Sequence, residues 1–436
     1  MGSLTTAMLS TTRTRKAMVG LIGAFFIQGF MAVSWLPRIP EVIDNLEVPF
    51  ATWGLIIGVA GLGNMAPLLF ANRVINRFGT RPILQISFVA IALSLASFGF
   101  INQPGLFFLV LLAQNFCYGL FNIAVNSHSV VFQNRIGKII LGRFHAAWSI
   151  GAALSSLLTG FFAPILSLAT YLTGVSVLGL VICLIATAQM LSPTEDGHEQ
   201  EKKRAEPVAL FKTPRYVVIL ALGLFCGVLP ELVMMDWSAV FSKETLGLAA
   251  GQQGLPYTIF VTSMIVGRLS IGRLTKRHHI SRIGQVGAVV GAISMTIAVV
   301  LGTILAGISP VLALAATAIF WVTAGLGTGP QVPSVFSNAG SVEGMTTAQA
   351  MSRMSLMNST IILGIKVVLG AVAQGIGVPF VFGLPIMSFV AAAVIAGYVV
   401  RRSATLKPGA EFGESKPVDA FPVTSPVAVI TEEENS

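Results

Sequence analysis

LSPTEDGHEQEKKRAEPVALFKTPR, residues 191–215, is the longest hydrophilic stretch inside the chain, and its position decides how the remainder is read. Its charges are mixed in sign and it has no apolar period, so it reads as a flexible linker. Before it lie six apolar runs, near 17–37, 51–71, 82–101, 105–133, 141–164 and 166–190. After it lie six more, near 216–241, 254–274, 283–305, 309–336, 345–375 and 377–400. A helix of ~20 apolar residues, rising ~1.5 Å per residue, crosses a hydrocarbon layer of ~30 Å. Barrel strands would be ~10 residues long and alternate apolar with polar, whereas these runs are apolar all round. The expected fold class is an all-α membrane protein with twelve transmembrane helices in two six-helix halves. Its expected parts are a cytoplasmic N-terminal tail at 1–16, a bundle at 17–190, the cytoplasmic linker at 191–215, a second bundle at 216–400, and a disordered cytoplasmic tail at 401–436.

Composition agrees. Of 436 residues, 54% are hydrophobic and 10% charged, with a mean hydropathy of +0.81, against roughly 25% charged in soluble domains. The net charge of +9 raises the question of nucleic acid, and the placement of the charges answers it. The tails and even-numbered loops hold 22 of the 27 Lys and Arg, and the odd-numbered loops hold only Arg38 and Lys243. That asymmetry is the positive-inside pattern, which predicts a multi-pass protein of the cell (inner) membrane with both termini cytoplasmic and no nucleic-acid partner. Arg13, Arg15 and Lys16 precede the first run as in a signal peptide, but the run is too long and no Ala-x-Ala site leads into a soluble domain. Cys117, Cys183 and Cys226 sit singly in apolar runs, so neither disulfides nor zinc are expected. With no metal-ligand set, P-loop or Ser/His/Asp order, the chain is expected to be no enzyme and to hold no metal and no cofactor.

Each half carries a basic tract between its second and third run, NRVINRFGTRP at 72–82 and GRLTKRHHISR at 272–282. Recurrence at one place in both halves indicates duplication around a central site. At Arg77, Gly79 and Arg81 the first tract resembles the G-x-x-x-D-(R/K)-x-G-(R/K)-(R/K) loop of the major facilitator superfamily. It departs from it at Asn72, where the family has Gly, and at Asn76, where it has Asp. WLPRIPEV (35–42), FNIAVN (121–126), GRFHAAWSIGA (142–152), ELVMMDWSAVFSKETLG (231–247) and GRLSIGRL (267–274) are similar to the YbjJ-like, fucose-permease-related bacterial branch. The resemblance spans about residues 17–400 and implies a transporter whose cavity is lined by the first, fourth, seventh and tenth spans. That would place Gln28, Asn115, Asn122, Asn126, Glu231, Asp236, Trp321 and Gln331 around it.

Ionisable groups at mid-helix cost at least ~2.5–3.5 kcal/mol in a bilayer and therefore face a water path or a partner. Glu231 and Asp236 are the acids within spans, both on the seventh, where Pro230 frees backbone groups. Depth counting puts Glu231 and Lys366 both ~15 Å below the outer ends of their spans, which makes them the expected ion pair, with Asp236 nearer the mouth. Such a pair either neutralises two buried charges or exchanges a proton as the cavity changes side. Arg268 and Arg353 are expected to snorkel to the inner interface. Asn115, Asn122 and Asn126 fall within ~40° of arc on one helix face, and Gln28 and Trp35, seven apart, share another; both faces, Trp35 included, are expected to line the substrate cavity. Interhelical hydrogen bonding is the alternative use of such amides. His128 and His145 read as packed or interfacial, with proton sensing the alternative. Gly325, Gly327 and Gly329 before Pro330 read as flexing points of the tenth helix.

These residues lead to a monomeric secondary transporter working by alternating access, a proton-coupled symporter taking up a small polar solute, which the branch resemblance implies is sugar-like; its partners are that solute, protons and the bilayer. Efflux of a drug or metabolite is the alternative, and a non-transporting membrane sensor or assembly protein is the alternative of another class.

Overall fold

The computed structural model describes residues 10–137, 140–192, 195, 213–342, 345 and 347–405. Most of the expected linker at 191–215, most of the tail at 1–16 and the tail beyond 405 lie outside these residues. Among the described residues, twelve long helical segments follow one another. They are α1 (Thr11–Leu46), α2 (Phe50–Leu69), α3 (Thr80–Ser97), α4 (Pro104–Ile136), α5 (Leu141–Phe162), α6 (Leu168–Gln189), α7 (Arg215–Glu244), α8 (Ala250–Leu274), α9 (Ile280–Ala306), α10 (Pro310–Ser341), α11 (Gln349–Gly375) and α12 (Val378–Arg402). All but α5 are long and apolar enough to cross a membrane. The 22 residues of α5 are long enough, but they include His145, Ser155, Ser156 and Thr159, all buried against neighbouring helices.

Short connections make successive helices antiparallel, so the two ends of the bundle differ in chemistry. One end collects Arg73, Arg77, Arg135, Arg143, Arg273 and Arg282 and is the basic end. At the other, the far end, α1 breaks after Val33. Pro37 and Pro40 cannot donate helical hydrogen bonds, and the chain turns through Leu36–Arg38 into a short helix, Ile39–Leu46. Glu47 ends that helix at φ 51°.

The two halves meet near the far end. Antiparallel α2 and α11 touch backbone to backbone: a Cβ built on Gly54 would lie 2.6 Å from Gly370 Cα. Next to this seam the Phe50 N–H donates to Gln374 Oε1 at 3.0 Å. A second seam joins α5 to α8, where the Ser156 and Thr258 hydroxyls are 2.6 Å apart and Gly160 abuts the Gly251 carbonyl. Small residues, Gly54 on α2 and Ser156 and Gly160 on α5, thus serve contact between halves, where larger side chains would hold the backbones apart.

At the basic end Arg13 closes the N-terminal half on itself. Its guanidinium donates to the last carbonyls of α6, Gln189 at 2.6 Å and Met190 at 2.7 Å, and to both carboxylate oxygens of Glu195. Glu195 also accepts from the Ser192 amide and hydroxyl. The Arg13 hydrogen bonds, foremost, hold the Glu195 carboxyl down to about 2, from an ordinary value of 4.5. A depressed folded-state value means that the clasp contributes fully above the unfolded value of 4.5 and is lost as pH falls toward about 2. Glu195→Gln is expected to lower the thermal midpoint of the purified protein near neutrality, with the gap to wild type closing in acid. A gap unchanged between about pH 6 and about pH 3 would refute the clasp.

Candidate functional site

The candidate site is built on α7, which buries most of its length and carries Glu231 and Asp236. Glu231 and Asp236 are five residues apart, ~7.5 Å along the axis and ~140° around it, so they face different neighbours. Each has its own cation. Arg268 Nη2 of α8 lies 2.9 Å from Glu231 Oε2, with side chains 17% and 8% exposed. Lys366 Nζ of α11 lies 2.8 Å from Asp236 Oδ2, with side chains 18% and 7% exposed. The second contact is an ion pair without hydrogen-bond alignment at Asp236 Oδ2. The buried Tyr257 of α8 lies within electrostatic reach of both acids and of Arg268.

Two expectations are corrected by this arrangement. Lys366 pairs with Asp236 instead of Glu231, because equal depth does not bring together groups on different sides of a helix. Arg268 does not snorkel to the interface: its long side chain reaches up to a buried carboxylate. The buried carboxylate, 2.9 Å away, supplies the counter-charge that the interface would otherwise have to supply.

Other expected cavity residues are divided. Gln28 is buried on α1, and its Oε1 has no hydrogen-bond partner among the described residues. Asn122 and Asn126 are half-buried one turn apart on α4, where Asn126 Nδ2 donates to the Asn122 carbonyl and to its Oδ1 at 3.0 Å. Asn115 Cβ instead lies against Gly63 of α2, so this asparagine belongs to a helix contact. Trp35 packs edge-on to Trp53, Phe98 and Phe107 inside the N-terminal half. Trp321, fully buried, packs on Phe241 and Phe382. Gln331 Nε2 donates to the Gly284 and Gly327 carbonyls at 2.9 Å each, joining α9 to α10. For these last three the amphipathic side chain fills a packing role, the alternative that interhelical amides and buried indoles always carry.

In the loop tract, the short helix Ala71–Phe78 ends at Gly79, whose φ of 80° only glycine adopts without strain. Arg77 is exposed and lays its guanidinium over the Phe78 ring at 5.2 Å. Thr80 of the same tract meets His128 Nδ1 at 2.6 Å, and the Leu191 amide donates to His128 Nε2 at 3.1 Å. Because Nε2 must accept, Nδ1 carries the proton, and His128 is a neutral strut tying α3, α4 and the end of α6 together.

Sequence reasoning missed the far-end mouth. Lys243 Nζ, on the last turn of α7, lies 2.6 Å from each carboxylate oxygen of Asp44 in the other half. Beside it a cavity of about 510 Å³ opens between the halves, lined by Asp44, Glu47, Phe50, Lys243, Glu244 and Gln374 among others. Opposite charges in the first and fourth odd-numbered loops were the available signal.

Comparison with known proteins agrees with this architecture. A family model described as Major Facilitator Superfamily matches residues 18–344. An uncharacterised MFS-type transporter of Yersinia pestis is 25% identical over 384 residues, covering 87% of this chain and 94% of that protein. Among solved structures, a variant of the nucleoside transporter NupG superposes with a TM-score of 0.71 at 16% identity, covering 88% of this chain and 98% of the other. An inward-facing, occupied bacterial homologue of the human lysosomal transporter Spinster superposes with a TM-score of 0.64 at 13% identity, covering 91% and 98%. Twelve long helical segments among the described residues, charges gathered on inward helix faces, and a family match over most of the length give one conclusion: the chain belongs to the Major Facilitator Superfamily and is a membrane transporter, not an enzyme.

Proposed function

We propose that this transporter is a proton-coupled carrier of a small polar solute in the cell (inner) membrane, with the basic end and both termini cytoplasmic. The orientation follows from the positive-inside pattern of the loops. The observation that carries the coupling is the pair of carboxylates at membrane depth on α7, each matched to one cation on a neighbouring helix. A protein that needed only a stable bundle would place apolar residues of like volume there, at no loss of stability. Proton uptake by a carboxylate releases its cation to water or solute, and this links a proton to the state of the site. The solute class follows from the neighbouring groups. Gln28 Oε1 on α1 and Asn358 Oδ1 on α11 are buried acceptors without partners among the described residues, suited to hydroxyl or amine donors. Asn122 and Asn126 add exchangeable amides. On this reading protons, the solute and the bilayer are the partners of a monomer.

Purified protein reconstituted in vesicles is expected to accumulate labelled hydroxylated solutes when an inward proton gradient is imposed. Glu231→Gln and Asp236→Asn should each reduce that accumulation by at least ~10-fold, the effect of about 1.4 kcal/mol on a coupled step. Undiminished gradient-driven accumulation in both variants would refute the proton assignment.

A further inference from the structure

We infer that the Asp236–Lys366 pair senses closure of the far end, so that protonation of Asp236 favours opening there, while the Glu231–Arg268 pair takes no part in that response. The inference rests on the proton-coupled reading above and specifies which acid answers to the far end.

Lys366 takes part in two contacts at once. Its ammonium reaches Asp236 inside the C-terminal half at 2.8 Å, while its backbone belongs to the seam with the N-terminal half. A Cβ built on Gly54 of α2 would lie 2.9 Å from the Lys366 carbonyl, and one built on Gly58 would lie 3.4 Å from Lys366 Cβ. Phe50, the first residue of α2, sets its ring edge-on against Trp237, the neighbour of Asp236, with centroids 6.1 Å apart. One helix of the opposite half therefore covers the pair from two sides. The Glu231–Arg268 pair is framed differently: a Cβ on Gly329 of α10, in the same half, would lie 2.8 Å from the Arg268 amide nitrogen.

The charged and titratable groups facing Asp236 are Lys366 from α11 and Tyr257 from α8. Glu231 lies five residues away on its own helix, and the covering residues of α2, Phe50, Gly54 and Gly58, bring no charge. With the seam shut, protonating Asp236 would leave the Lys366 ammonium buried without a counter-charge, which is strongly unfavourable. Parting α2 from α11 gives that ammonium water and removes the penalty. Proton binding and far-end opening therefore favour each other, as linkage requires.

The test places nitroxide labels at exposed Asn102 and Ile308, in far-end loops of the two halves. Cys117, Cys183 and Cys226 are replaced by alanine in this background, and label distances are measured in lipid nanodiscs. As pH is lowered the open-to-shut ratio is expected to rise, by no more than ~10-fold per pH unit, the limit for one linked proton. Asp236→Asn should give the long distance at every pH, since Lys366 is then permanently unpaired. Asp236→Asn with Lys366→Gln should restore the short distance, still without a pH response. Glu231→Gln should respond as wild type does. A pH response that survives in Asp236→Asn, or that is lost in Glu231→Gln alone, or a wild-type distance indifferent to pH, overturns the inference. Uptake separates the two readings: vesicle transport indifferent to an imposed proton gradient refutes the coupling even where the labels respond, whereas gradient-driven uptake with an inert far end refutes only the sensor.

Discussion

Arg268→Met is expected to lower the stability of the folded transporter by ~3–5 kcal/mol, the usual consequence of deleting one member of a buried ion pair. The partner left behind is Glu231, 6% exposed, on a helix that Pro230 already weakens by one hydrogen bond. A buried charge without a partner costs more than the lost attraction, because its hydration was given up on folding and nothing replaces it. The double variant Glu231→Leu with Arg268→Met removes both charges and keeps the volume. It should therefore recover most of the stability lost in the single variant, while remaining inactive in uptake. Thermal unfolding of both proteins in the same detergent reads the difference. A single variant as stable as wild type, or a double variant no better than the single, would show that the 2.9 Å contact between Arg268 and Glu231 does not hold the site together.

How far the sequence carries this picture depends on which coordinate of a helix a question needs. Position along the axis is legible, since apolar runs and the basic tracts mark where each span begins and ends, and twelve spans in two halves follow from them. Position around the axis is less legible. Depth alone matched Glu231 with Lys366, yet the five-residue spacing of Glu231 and Asp236 already holds part of the correction: ~140° of rotation sends the two acids to different neighbours, so one lysine could not serve both. The partners of Trp35, Trp321 and Gln331 could not be derived from a single helix, because an indole or amide on an inward face serves packing and solute contact equally well until the opposing helix is known. Gly325, Gly327 and Gly329 show the same limit. They read as points of flexibility, but each lies under the backbone of α8 or α9, where a Cβ would come within 2.8 Å of a main-chain atom. Glycine in a membrane helix marks either freedom or close approach, and only the neighbour distinguishes them.

That distinction bears on what shuts the far end, where two devices compete. The Asp44–Lys243 bridge is short but wet, its side chains 57% and 32% exposed, and a pair of that kind contributes ~0–1 kcal/mol. The α2–α11 seam is dry backbone contact, and its glycines should therefore dominate closure. Gly54→Val is accordingly expected to hold the far end open. A Cβ at this position would lie 2.6 Å from Gly370 Cα and 2.9 Å from two further backbone atoms, none of which can rotate away. Overpacking of this kind costs ~1–3 kcal/mol, and since the clash exists only while the seam is shut, it shifts the shut-to-open ratio by ~5–150-fold. A carrier held at one end of its cycle should lose uptake to a similar degree while staying folded. Gly370→Ala, whose Cβ would lie 2.6 Å from the Phe50 carbonyl, should behave likewise. Gly364→Ala on the same helix is the control: nothing lies within 4 Å of its Cβ, so it gains the same ~0.5–1 kcal/mol of helix propensity without the clash. Spin-label distances across the far end and vesicle uptake decide the matter together. If Gly54→Val closes and transports as Gly364→Ala does, the seam is not what shuts the far end, and the weight returns to the Asp44–Lys243 bridge.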